Sequence, residues 1–222
     1  MKKNLGHYEV IAKIFEYPEK GFSENVKEAL QVMNLLYPRA AKELFEFTEF
    51  AEQTELETQQ EIYTRTFDVQ AITTLDLGYV LFGDDYKRGE LLSNLCREHS
   101  DAGIVLNNQL ADHLPNLLKL IIRLDDKELA SELAGTIICP ALSKIVEEFS
   151  PEKMKKKNEV YDKHHKTLIE MSDKYATCYS HALKCILMII SEDFEFEGSD
   201  GMAKASGFID SITNEFEVEH SK

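Results

Sequence analysis

Apolar side chains recur along this chain at the three- and four-residue spacing of a helix face, over nearly its whole length. Leu5, Tyr8, Ile11 and Phe15 form the first such face, and Pro18 closes it. Ser23 is placed to N-cap a second helix, with Asn25 and Val26 in its first turn and Leu30, Met33 and Leu36 further along. Pro38 opens a third, with Leu44, Phe47 and Phe50 on one face. A fourth runs from about Glu55 to Phe67 and carries Leu56, Ile62, Tyr63 and Phe67. Thr73 or Thr74 caps a short apolar helix from Leu75 to Phe82, which Gly83 ends. Asp84 and Asp85 then favour the positive end of the next helix, which holds Leu91, Leu92 and Leu95 and stops near Gly103. Asp112 precedes a helix with Leu114, Pro115, Leu117, Leu118, Ile121 and Ile122. Another starts near Asp126 and should kink at Pro140, which lacks an N–H. A last long helix is expected from about Ser150 to Ile190, holding Tyr161, Leu168, Met171, Tyr175, Leu183, Leu187 and Ile190.

The pattern thins after Phe194, where Gly, Ser, Asp and Glu take over. The expected organisation is therefore one all-α, single-domain helical bundle over residues 1–194, followed by a mobile acidic tail, 195–222. Within that tail Phe208, Ile209, Ile212 and Phe216 have the spacing of a short amphipathic docking helix. Ile104 to Leu106 is too short a strand signal to change the class. Composition agrees: only 10 Gly and 5 Pro interrupt 222 residues, of which 43% are hydrophobic and 29% charged.

Charge narrows the function classes. With 40 acidic and 25 basic residues the net charge is -15, and such a surface repels phosphate backbones, so no nucleic acid is expected as a partner. The one basic cluster, Lys153 with Lys155, Lys156 and Lys157, lies between acidic segments and reads as a solvated helix start rather than a polyanion site. An acidic surface suits a basic partner. No secretory leader pattern is present, and the longest apolar stretch, Cys185 to Ile190, is too short to span a bilayer, so no integral membrane segment is expected. Four scattered cysteines, Cys96, Cys139, Cys178 and Cys185, read as reduced thiols, and a cytoplasmic location follows by elimination.

Chemistry-bearing motifs are few. Neither phosphate-binding glycine loop nor a nucleophile elbow occurs. Cys178, His181 and Cys185 share a helix face and offer three ligands to a soft metal, but a fourth is not evident, and the alternative is two apolar thiols beside a histidine. The adjacent His164 and His165 point about 100° apart on a helix and do not share a ligand easily. Asp112 and His113 read first as a helix cap before Pro115, not as an acid–base dyad. No catalytic residue or metal ligand is assigned, and the chain is not expected to be an enzyme.

Four segments in order carry a family resemblance. They are Ile14-Phe15-Glu16-Tyr17-Pro18, Tyr63-Thr64-Arg65-Thr66-Phe67-Asp68, the run Phe82 to Leu92 with Gly83, Asp84, Asp85, Arg88 and Gly89, and Leu110-Ala111-Asp112-His113-Leu114-Pro115. Together they resemble the NarJ group of molybdoenzyme assembly chaperones within the TorD/DmsD superfamily. The second resembles the family's Y-x-x-T-F-D, the third its G-D-S-x-x-R-G, and the fourth its L-P-D-Y/H-L-P. Asp85 replaces the usual Ser of the third, and Ala111 the first proline of the fourth. The match covers about residues 60–125, more loosely back to residue 8, and stops at Pro140.

The resemblance implies a TorD/NarJ-type helical bundle. It also implies a chaperone that binds the N-terminal peptide of a molybdopterin-dependent oxidoreductase's catalytic subunit, nitrate reductase or a close relative, and holds it for cofactor insertion. The molybdopterin cofactor would belong to that client, and none would be bound stably here. A helix-in-groove mode would place client side chains against Tyr63, Phe67, Leu114 and Leu117, with Asp112 and His113 beside them. Asp68, Gly83, Asp84, Arg88, Gly89 and Pro115 would shape the backbone; Asp84 and Asp85 would cap the helix, and Arg88 would reach back to one of them. The other readings are a permanent structural subunit of an oxidoreductase complex, which would co-purify with mature enzyme, and a metal-dependent enzyme using Cys178, His181 and Cys185.

Overall fold

The computed structural model describes residues 5–69, 71–106, 108–164 and 175–194. The described residues contain helices and no β-strand, only an isolated antiparallel bridge between Asp76 and His113. The all-α expectation holds at that level. Residues 195–222, with the expected tail and its Phe208–Phe216 helix, lie outside the described residues, as does His165.

Helices α1 (His7–Lys13), α2 (Phe22–Leu36), α3 (Pro38–Gln53) and α4 (Leu56–Phe67) follow the predicted order. Pro38 sits at the start of α3 as expected, where its missing N–H has no role to lose. Ser23 does not cap α2. Gly21 takes φ 95° and turns the chain into the helix two residues earlier, so Ser23 lies inside it. Its hydroxyl instead donates to the Ala51 carbonyl at 2.6 Å. The buried Gln59 amide joins them, 3.1 Å from Ser23 Oγ and 2.8 Å from the same carbonyl, tying α2, α3 and α4 together.

Next come α5 (Leu77–Phe82), α6 (Tyr86–Asp101) and α7 (Leu114–Arg123). Thr74 does not cap α5; the helix starts after Asp76, whose own N–H bonds the Thr74 hydroxyl at 3.2 Å. Gly83 ends α5 at φ 62°, a region that favours glycine. Asp85 caps α6, its carboxylate accepting from the Lys87 N–H at 3.0 Å.

Helix α8 (Lys127–Leu133) starts where the pattern predicted, and Asp126 caps it, accepting from the N–H groups of Glu128 and Leu129. The expected kink at Pro140 takes the form of a π turn, Ala134–Ile138, after which α9 (Cys139–Glu148) continues with Pro140 in its first turn. Widening the helix ahead of the proline removes the need for the N–H it lacks. The continuous run Lys127–Glu148 is long and apolar enough to cross a membrane by length and composition, which the six-residue stretch at Cys185 was not. More than half of its most apolar window is buried: Leu133, Ile137, Ile138, Leu142 and Ile145 are all core. Core packing accounts for that apolarity.

The single long helix expected from Ser150 to Ile190 is instead interrupted. Helix α10 spans Pro151–His164, Tyr175 to Thr177 form a turn, and α11 spans Cys178–Asp193, while Leu168 and Met171 lie outside the described residues. Thr177 stands at φ -115°, ψ 9°, off the helical region. The break lets α11 lie along α3, its principal neighbour, with the Tyr179 ring 4.8 Å from Phe47 and 4.9 Å from Phe67. The lysine cluster of α10 is largely neutralised: Lys153 and Lys157 each reach Glu148 at 2.8 Å. Burial raises the Glu148 pKa, but hydrogen bonds from these two lysines outweigh it and hold the carboxyl below its ordinary range.

A buried polar knot joins the two ends of the described fold. Asp193, at the end of α11, accepts from Tyr8 Oη at 2.8 Å and Tyr37 Oη at 2.7 Å, and lies 3.0 Å from His7 Nε2. Burial, then the neighbouring carboxylate, push the Tyr8 and Tyr37 hydroxyls well above the ordinary range. Replacing Asp193 with alanine strands three polar groups at once and should cost about 3 kcal/mol or more. Tyr8→Phe, which removes one hydrogen bond, should cost about 1 kcal/mol. Urea unfolding of the two variants checks the ratio.

Candidate functional site

Two loops meet where α5 and α7 begin. The Leu77 N–H bonds the Asp112 carbonyl and the Leu114 N–H bonds the Leu75 carbonyl, each at 2.9 Å, which makes the isolated bridge. This register sets Asp76 beside His113 and turns Asp112 inward toward α6. From α6, Arg88 Nε donates to Asp112 Oδ2 at 3.0 Å and Nη2 to Asp76 Oδ2 at 3.2 Å. His113 Nδ1 lies 2.9 Å from Asp76 Oδ1 and donates to it, since an ionised carboxylate only accepts. The guanidinium also stands over the Tyr79 ring, 5.1 Å from its centroid.

The pocket for this pairing depends on Gly78. A Cβ there would lie 2.6 Å from Asp112 Oδ2 and 3.0 Å from Leu91. Gly78 is the glycine that allows a close approach; Gly89, expected to do so, has open space around it.

The electrostatics separate the two carboxylates. Both are raised by burial, but Asp76 also receives hydrogen bonds and charge from His113 and Arg88 and ends below the ordinary range. Asp112, wholly buried and close to the Asp76 charge, stays above it despite its hydrogen bond from Arg88. Arg88 is disfavoured by burial, yet the two carboxylates more than restore its charge. Asp68, at the end of α4, is raised by burial and also feels the charges of His113 and Asp76.

Several expectations need correction here. Arg88 does not reach back to Asp84 or Asp85 but across to Asp76 and Asp112. Asp112 does not cap α7; His113 holds that position without a side-chain cap bond, and the Asp112 carboxylate is spent on Arg88. Asp112 is fully buried, so in this conformation it meets no client cation directly. Tyr63 and Phe67 do share a face, with ring centroids 5.1 Å apart. That face is core against Tyr179, and Leu114 and Leu117 are wholly buried too, so these four do not wall an open groove. Pro115 is in the first turn of α7 and buried.

The possible metal ligands do not assemble: no group of three or more His, Cys, Asp or Glu side chains among the described residues could hold an ion. Cys178 and Cys185 are core thiols, the latter pushed up to about 12 by burial. His181 turns to Glu43 on α3, at 3.4 Å. An open cleft lined by Glu9, Gly103, Ile104, Val105, Lys119, Ile122 and Arg123 involves no residue of the Arg88 cluster.

Asp76 and Gly78 were missed in the sequence. Their signal is a lone carboxylate and a lone glycine inside the apolar run Leu75 to Phe82, where neither has a local reason to be. Searches against protein-family models and against curated proteins match this chain to none of them.

Gly78→Ala should force Asp112 and Arg88 apart and cost about 1–3 kcal/mol in urea unfolding. A second expectation concerns acid. A carboxyl whose pKa is lower folded than unfolded gives stability above its ordinary value, here 3.8, and loses it as pH falls through the lower folded value. Asp112, raised, acts in the opposite sense and favours the folded state as pH falls. Asp76→Asn should therefore flatten the acid limb of the urea midpoint measured from about pH 5 to about pH 2.

Proposed function

We propose that this protein is an assembly chaperone of the NarJ type, which binds the N-terminal peptide of the catalytic subunit of a molybdopterin-dependent oxidoreductase. One observation carries the reading: the four separated segments behind the resemblance pair up in the fold, the first packing on the second and the third bonding the fourth. Tyr17 packs edge-on against Tyr63 with centroids 5.5 Å apart, and Tyr63 Oη donates to the Phe15 carbonyl at 3.2 Å, linking the first segment to the second. Asp68, ending the second, feels the charge of His113 in the fourth. Arg88 of the third bonds Asp112 of the fourth. Residues scattered over about a hundred positions thus meet in two pairs of segments, with Asp68 and His113 within electrostatic reach of each other.

In this reading these pairings fix the relative positions of α4, α5, α6 and α7, and the client peptide lies on the surface they support. The surplus of negative charge speeds encounter with a basic peptide and sets its orientation, while apolar burial supplies most of the affinity. The chaperone must release its client after cofactor insertion, so a micromolar Kd serves better than a nanomolar one.

Calorimetry of the full chain with peptides from the N-termini of molybdoenzyme catalytic subunits tests the reading. Saturable heat with at least one such peptide, lost for a scrambled sequence, is the expected outcome. No heat with any of them sinks it.

A further inference from the structure

The corner between α2 and α3 carries an apolar stripe that the described fold leaves uncovered. Val32, Leu35 and Leu36 follow one another at i, i+3 and i+4 in the last turns of α2, so they share one side of the helix. Leu35 is 81% exposed, the most of any large apolar side chain among the described residues, and Leu36 is 50% exposed. Val32 packs against the core at the inner edge of the stripe. Single exposed leucines are ordinary, but a stripe at helical spacing marks a face without its neighbour.

The chain itself comes back to this corner. Asp193 Oδ1 accepts from Tyr37 Oη at 2.7 Å, and Tyr37 directly follows Leu36. Phe194 is the last described residue, so residues 195–222 set out from beside the stripe. Residues 195–207 separate Phe194 from Phe208, Ile209, Ile212 and Phe216, whose spacing puts four apolar side chains on one helix face. At about 3.3 Å per residue that connection reaches the corner with slack to spare.

Charge favours the same pairing. Between 205 and 221 the sequence holds Asp210, Glu215, Glu217 and Glu219 and neither lysine nor arginine. At the corner, Arg39 and Lys42 stand exposed in the first turns of α3 and make no ion pair among the described residues. Glu192, whose charge also reaches Tyr37, opposes them, one anion against two cations.

We propose that the segment 208–216 docks as an amphipathic helix on the Leu35–Leu36 corner of its own chain, its acidic flank beside Arg39 and Lys42. Apolar burial supplies the affinity, and the charges set which way the segment lies. Any other chain that takes this corner must first displace the segment. No client enters the argument, so the contact stands or falls independently of the chaperone reading.

The full chain contains no tryptophan, so Phe208→Trp places a single emitter on the docking face, and Phe216→Trp repeats the measurement from its other end. Emission should be blue-shifted and shielded from acrylamide at every protein concentration, because the contact is intramolecular. Leu35→Gln with Leu36→Gln keeps helix propensity at exposed positions, which circular dichroism checks, and should return the emission to that of a solvent-exposed indole. Arg39→Gln with Lys42→Gln, or salt raised to about 1 M, should produce part of the same red shift.

Exposed-indole emission from both tryptophan variants overturns the proposal and leaves the corner to another partner. A blue shift that survives the two glutamines places the segment elsewhere on the molecule and overturns it as well. A shift that grows with protein concentration, with the mass of two chains in light scattering, puts a second copy's segment on the corner and overturns the intramolecular contact. Emission indifferent both to salt and to the loss of Arg39 and Lys42 overturns the charge pairing.

Discussion

The Arg88 guanidinium is shared by two carboxylates that reach it from different directions. Asp76 and Asp112 belong to loops more than thirty residues apart in sequence, and without the cation between them they would repel in a site largely closed to water. The backbone bridge at Asp76 and His113 needs that cation, since its register is what brings the two side chains together. The start of α5, the start of α7 and the first turns of α6 are thus located by one side chain. Its fork geometry decides the matter: two separate nitrogens meet two separate acceptors, which a lysine would not do.

A second tie acts at the other side of the molecule, and its logic differs. Asp193 accepts from two tyrosine hydroxyls and lies beside an imidazole. These hydrogen bonds help to compensate its burial. Helix α1 is only seven residues long and would not hold by itself. Packing on α2 and α7, with this knot, gives it a fixed place.

How legible all this was in the sequence depended on range. Helix existence was clear because apolar spacing is a local property, and a cap whose partner lies two residues on, such as Asp85, was placed correctly. Ser23 failed because a left-handed glycine upstream moved the helix start, leaving its hydroxyl free for a carbonyl on α3. The break at Thr177 precedes the helix that packs along α3, and no local pattern announces it. Asp112 shows the limit most sharply: its neighbours in sequence made it a cap, while its partner lay twenty-four residues away. The proposed client-facing aromatics were read onto the correct shared face, but which side of a helix faces solvent is settled by elements elsewhere in the chain, here α11.

The π turn at Ala134–Ile138 has a consequence of phase. Fitting one more residue into a turn rotates everything before it by about 100° relative to everything after, compared with an uninterrupted α-helix. Leu133 before the turn and Leu142 and Ile145 after it are nevertheless all buried on the same continuous rod. A regular helix of the same sequence would not align them on the core. A one-residue deletion inside the turn would leave composition, charge and core volume nearly unchanged and still swing Ala130 and Leu133 about 100° away from their buried positions.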